Sequence, residues 1–189
     1  MSPAADPTDG ADDMVPPDGV GAADGFRRLW TPHRLAYIKE ATGAEGNVGC
    51  PFCRIPMLDD DEGLVVARGE QVYAVLNLHP YNPGHLMVVP YRHVAELEDL
   101  TPAESSELMA FTQRAVRAMK AVSAPHAFNV GLNLGALAGG SLAEHLHQHV
   151  VPRWGGDANF LAVIGQTKVI PQLLSETKAL LAAAWPTTD

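Results

Sequence analysis

The sequence predicts an α+β domain, an antiparallel sheet of about five strands with one long helix and a C-terminal helix. Three observations carry this expectation. Two β-rich runs, 71–78 and 85–90, are separated by Asn82-Pro83-Gly84, a strong turn signal, so the chain folds back on itself. Thr101-Pro102-Ala103-Glu104 reads as a capping box with proline at the first helical position and opens a helix running to about Val122. His145, His147 and His149 stand two residues apart, the period of a strand. Strands joined by short turns around one long helix are incompatible with a doubly wound parallel sheet, and no internal repeat is visible.

The 189 residues are 47% hydrophobic, enough for one domain with a core. The formal charge of −9 is unevenly spread. Residues 1–24 carry six acids and no Lys or Arg, leaving about −3 on the remainder, 25–189. The 1–24 stretch is rich in Asp, Gly, Pro and Ala and has little to bury, so it reads as a disordered tail. A mildly acidic body does not favour bulk nucleic-acid binding. No apolar run reaches the length of a membrane span, and the N-terminus lacks the basic and apolar regions of a signal peptide. The expected setting is therefore the cytoplasm, with no membrane partner. Two cysteines in one Cys-x-x-Cys also suit a reduced compartment better than a disulfide framework.

Structure is expected from near Phe26. Residues 29–38 form an amphipathic segment that packs Leu29, Trp30, Leu35 and Ile38; whether Arg27, Arg28 and Arg34 are solvated or reach a ligand is open from spacing alone. Gly49-Cys50-Pro51-Phe52-Cys53 sits in a turn-rich stretch typical of a zinc knuckle. The rival, a thioredoxin-like redox site, needs a preceding buried strand that Asn47-Val48-Gly49 does not supply. In the long helix Leu108, Phe111, Ala115, Met119 and Val122 form one apolar stripe, which belongs to the core. Further strands are expected at 128–134 and 144–152, and a last helix from Gln172 to about Trp185.

On a strand, His145, His147 and His149 share one face and span roughly 13 Å at about 3.3 Å per residue, the length of a polyphosphate. Neutral imidazole attacks phosphorus and its cation binds phosphate, so such a row supplies both roles near neutral pH. Closely spaced histidines also bind zinc, and the row alone leaves the two readings open. Gly131, Gly135, Gly139 and Gly140 crowd the approach to it, where bare backbone N–H groups can cradle phosphate oxygens.

His145-Leu146-His147-Gln148-His149-Val150-Val151 resembles the signature of the histidine triad (HIT) superfamily, and the Asn77–Val89 segment with Pro83-Gly84-His85 resembles its second hallmark. Residues 29–38, Pro152-Arg153-Trp154 and the run Asp157-Ala158-Asn159-Phe160 are similar to the bacterial diadenosine tetraphosphate phosphorylase-like branch. The resemblance covers roughly Leu29 to Phe160. It implies a HIT-like fold and phosphorolysis of diadenosine tetraphosphate to ATP and ADP through a nucleotidyl-histidine on His147. His149, His145 and His85 would complete the catalytic set. Asn77 would hold the ribose, and Asn133, Ser141 and the Gly140 loop the phosphates, with Arg153 as a further donor. Trp154 is either a ligand contact or an ordinary packed aromatic.

The resemblance also nominates His93 and His145 to join Cys50 and Cys53 around a structural zinc. Magnesium is expected to arrive with the nucleotide, and the assembly to be a homodimer or homotetramer. Two positions depart from the broader family. Gln148 replaces an apolar residue but points away from the histidine row. Ser141 stands where many HIT hydrolases carry glutamine, which puts water in doubt as the acceptor. The alternatives are a hydrolase of dinucleoside polyphosphates or nucleoside phosphoramidates, a nucleotide-binding module without turnover, and a transferase acting on sugar phosphates.

Overall fold

A computed structural model describes residues 49–138, 142–157 and 170–187, all within one compact unit. The 1–24 stretch, residues 29–38, Gly139, Gly140, Ser141 and the Ala158-Asn159-Phe160 run lie outside the described residues.

The strands are β1 (Val65–Arg68), β2 (Val72–Leu76), β3 (Leu86–Pro90), β4 (Ala127–Leu132) and β5 (Gln148–Arg153). They form one sheet in the order β1-β2-β3-β5-β4, every neighbouring pair antiparallel. The helices are α1 (Pro51–Arg54), α2 (Pro102–Ser123) and α3 (Leu174–Ala183). This is the expected α+β architecture.

The main differences from expectation are an additional strand and the start of β5. β1 was not anticipated, because Val65-Val66-Ala67-Arg68 is too short to show alternation and its pairing is interrupted by an irregularity between Val65 and Ala67. β5 begins at Gln148 and not at Glu144, so His145 and His147 precede the ladder. The physical reason lies opposite them. Continuing the β3–β5 register would bring this segment against Pro90, which has no N–H to donate. The chain instead bonds past the strand end, with Leu146 N–H donating to Val94 O at 2.7 Å.

Strand alternation divides the sheet into two faces with different tasks. Val72, Ala74, Leu76, Leu86, Val88 and Val150 face α2 and pack against Leu108, Phe111, Ala115, Ala118 and Met119. Fully burying one large apolar side chain of this kind contributes roughly 1.5–3 kcal/mol. Gln148 is on this face too, away from the histidine row as expected. Buried, it donates through Nε2 to Thr112 Oγ1 at 2.6 Å, and Thr112 donates to Leu108 O. The other face packs Tyr73, Val75, Met87 and Val89 against Cys50 and Phe52. Met87 pairs with His149 across β3 and β5, so the same face carries the histidines.

α2 starts where its capping residues dictate. Thr101 Oγ1 accepts from Glu104 N–H, and the Glu104 carboxylate accepts from Thr101 N–H at 2.8 Å. Arg92 also donates to Glu104, holding that carboxyl down at about 2. The helix ends where Ala124 turns left-handed at φ 43°. At the other end of the sheet, Glu107 on α2 accepts the N–H groups of Glu70 and Val72 in the β1–β2 turn. Gly69 allows that approach, since a Cβ there would lie 2.6 Å from Glu107 Oε1.

Candidate active site

Proline at the first helical position puts Cys50 at the N-cap of α1, and the Cys-x-x-Cys spacing puts Cys53 three residues on, on the same side of the turn. Cys50 Sγ lies 3.4 Å from His145 Nδ1, and Cys53 Sγ lies 3.2 Å from His93 Nδ1 and 3.5 Å from His145 Nδ1. All four candidate ligand atoms fall within 4.8 Å of one another. A tetrahedral zinc with ordinary bond lengths would set sulfur and nitrogen ligands about 3.6 Å apart, so the group fits such an ion. His145 Nε2–H donates to Pro90 O at 2.9 Å, leaving Nδ1 unprotonated toward the thiols. Burial, followed by the neighbouring Cys50 thiol, pushes Cys53 up to about 11, a penalty that a bound dication would reverse.

His145 was expected both as a metal ligand and as a catalytic residue. Its ring is committed to the knuckle, and burial holds it at about 4. Its backbone carbonyl faces the next histidine of the row. His147 Nδ1–H donates to His145 O at 2.8 Å, which leaves the lone pair of His147 on Nε2. Burial lowers the pKa of His147, so this lone pair stays free near neutral pH.

Hydrogen bonds fix the other two rings as well. Tyr81 N–H donates to His85 Nδ1 at 3.1 Å, so His85 carries its proton on Nε2 and donates to His149 Nδ1 at 2.9 Å. His149 must then hold its own proton on Nε2. Asn133 Nδ2 lies 3.3 Å from that nitrogen, so this proton assignment requires the amide to be turned over, with Oδ1 in place of Nδ2 as the acceptor. Burial, then the nearby His147, lowers His149 to about 4. The rings of His147 and His149 meet edge-on at 4.8 Å. The centre therefore pairs an imidazole lone pair with an imidazole N–H donor, both neutral across the physiological range.

Asn77 joins this cluster. Its Oδ1 accepts from His79 N–H at 2.9 Å, and its Nδ2 points at His85 Nδ1 at 3.4 Å. Arg153 is on the same strand but is occupied elsewhere. Its guanidinium grips Asp157 through Nε at 2.6 Å and reaches Asn129 Oδ1 at 2.9 Å. Arg153, followed by Asn82 and the Trp154 N–H, holds the Asp157 carboxyl well below the usual carboxylate range. Trp154 donates its indole N–H to Ser123 O at the end of α2. Gly140 and Ser141 lie outside the described residues.

Two residues at the centre escaped sequence reasoning. Tyr81 lays its ring over His85 at 4.7 Å and beside His149 at 5.9 Å, and Phe52 packs against His147 at 4.8 Å. The only available signals were an aromatic in the Asn-Pro-Gly turn and another between the two cysteines.

A two-faced antiparallel sheet with a histidine-lined end defines a class, and the HIT domain family profile matches residues 60–156. The chain belongs to that family, the histidine triad proteins. Among its relatives, a Mycobacterium tuberculosis protein named AP-4-A phosphorylase is 66% identical over 172 residues, covering 88% of each chain. A Schizosaccharomyces pombe protein named bis(5'-nucleosyl)-tetraphosphatase (asymmetrical) is 37% identical over 84 residues, covering 44% of this chain and 46% of its own. Among solved structures, a zinc-bound histidine triad family protein from Mycobacterium smegmatis is similar with a TM-score of 0.59 and 29% identity, over 74% of this chain and 94% of that one.

Proposed function

We propose that this protein cleaves diadenosine tetraphosphate by phosphorolysis, giving ATP and ADP. The observation that carries the reading is the free Nε2 lone pair of His147 beside the N–H of His149. The 66% identity to a protein named AP-4-A phosphorylase supports the choice of substrate and acceptor.

His147 Nε2 attacks the α-phosphorus in line, the bond to the bridging oxygen breaks, and ATP departs, leaving adenylyl-His147. The His145 carbonyl holds the Nδ1 proton and disperses the charge that develops on the ring. His149 Nε2–H, oriented by His85, donates to the phosphoryl oxygens as charge builds on them. Asn133, Gly140 and Ser141 add donors, Asn77 faces the ribose, and Trp154 borders the nucleotide. Inorganic phosphate then attacks the same phosphorus, its oxygen replaces His147 Nε2, and ADP leaves. Arg153 supplies positive charge on the approach once it shares its hold on Asp157.

Cys50, Cys53, His93 and His145 would hold a zinc ion, which when bound ties α1 to the segment carrying the nucleophile. Magnesium accompanies the polyphosphate. The thiol pair suits a reducing compartment, the cytoplasm, and no helix among the described residues is long and apolar enough to cross a membrane. Assembly as a homodimer or homotetramer is favoured by the edge strand β4, where Val130 is exposed. Catalysis is assigned to residues 25–189, with 1–24 a dispensable tail; deleting 1–24 should leave turnover intact.

The deciding experiment follows products with and without labelled phosphate. Cleavage should rise with phosphate and yield ADP and ATP in equal amounts, with the label in the β position of ADP and absent from ATP. AMP and ATP formed at a rate indifferent to phosphate would make the enzyme a hydrolase.

A further inference from the structure

The helical turn α1 that holds the two thiols also touches His147, and the contact is made by Phe52. We infer that Phe52 is a positioning residue for His147, an inference that rests on the assignment of His147 as nucleophile.

Phe52 lies between Cys50 and Cys53 and is buried. Its ring centroid is 4.8 Å from that of His147, tilted at 46°, and 5.6 Å from that of His145, edge-on at 73°. On another side the His149 ring meets His147 at 4.8 Å and 75°. The hydrogen bond from Nδ1 to the His145 carbonyl holds one atom of the His147 ring but allows the rest to pivot about it. Nε2, the attacking atom, lies across the ring from that anchor. A pivot of about 30° moves Nε2 by roughly 1 Å, and a misplacement of that size costs on the order of 100-fold in rate. Phe52 and His149 are the two rings that block the pivot.

Phe52 is itself held on two sides. Cys50 and Cys53 flank it in sequence and converge on the His93 and His145 rings. Its carbonyl accepts from the hydroxyl of Tyr73, fully buried on the same face of the sheet, at 2.7 Å. The metal knuckle thus contacts the reacting centre at two points, the His145 carbonyl and the Phe52 ring. The tilted Phe52 ring and the edge-on His149 ring set the direction of Nε2, and the carbonyl sets which nitrogen bears the lone pair.

The test uses the full chain with its zinc. Phe52→Leu keeps an apolar side chain between the cysteines but removes the flat surface. Tyr73→Phe keeps the ring that packs against Cys50 and Phe52 and removes only the hydroxyl that bonds the Phe52 carbonyl. Single-turnover formation of the adenylyl-enzyme should fall about 10- to 100-fold in Phe52→Leu and in the same direction, by less, in Tyr73→Phe. The Kd for a non-cleavable diadenosine tetraphosphate analogue and the zinc-to-chain ratio should stay at wild-type values in both. Wild-type adduct formation in Phe52→Leu would overturn the inference. So would a loss in both variants that tracks lost zinc or lost binding, which would make Phe52 a packing residue only. A wild-type protein that forms no adduct would remove the nucleophile reading itself, a result distinct from fast adduct formation in the variant.

Discussion

Replacing His149 with glutamine removes a half-buried base whose protonation the fold resists. Folded, His149 stands at about 4 against an ordinary 6.5, chiefly because burial disfavours its cation and then because His147 lies beside it. Protonation would also set a new N–H on Nδ1 directly against the Nε2–H of His85. As pH falls, the unfolded chain takes this proton first. The contribution of His149 is therefore complete above about pH 6.5 and is lost as pH falls toward 4. At about 1.4 kcal/mol per pH unit the gap corresponds to roughly 3 kcal/mol, or about 2 kcal/mol after allowing for water at the partly accessible ring. Urea unfolding at pH 7.5 and 4.5 reads this directly. Between those conditions wild type should lose about 2 kcal/mol more than His149→Gln, whose amide oxygen still accepts from His85. The metal ligands and carboxylates are common to both proteins and cancel. An equal loss in the two proteins would refute the reasoning, as would an NMR titration placing His149 near its ordinary value.

Three further outcomes are expected. His147→Ala should abolish adduct formation and turnover while retaining binding of a non-cleavable analogue; near wild-type rates would end the covalent mechanism. Chelation should lower the unfolding free energy by several kcal/mol, because the ligands converge only in the folded chain, and elemental analysis showing no zinc in protein prepared without chelator would reject the centre. Gln148→Leu should change stability by less than about 2 kcal/mol and leave kcat unchanged, since Thr112 keeps its bond to Leu108 O while losing only its partner on β5. A large loss of kcat would place Gln148 in the site.

Much of this protein is written in local signals. The Thr101–Glu104 box, the apolar stripe from Leu108 to Met119 and the Asn82-Pro83-Gly84 turn depend on neighbours within a few residues, so they survive in the linear sequence. The histidine spacing likewise announces a shared face, and the family resemblance a chemistry of phosphorus. Tertiary structure decided what those side chains meet. Pro90 ends the ladder before His147, and packing closes Phe52 and Tyr81 onto the imidazoles. Asp157 engages Arg153, a contact that spacing alone does not require. The tautomers are the clearest case. A sequence says that three histidines share a face, but only the Tyr81 N–H, the His145 carbonyl and the Pro90 carbonyl decide which nitrogen of His85, His147 and His145 carries a proton. Those partners come from backbone groups brought together by folding, and a backbone group has no letter of its own in the sequence.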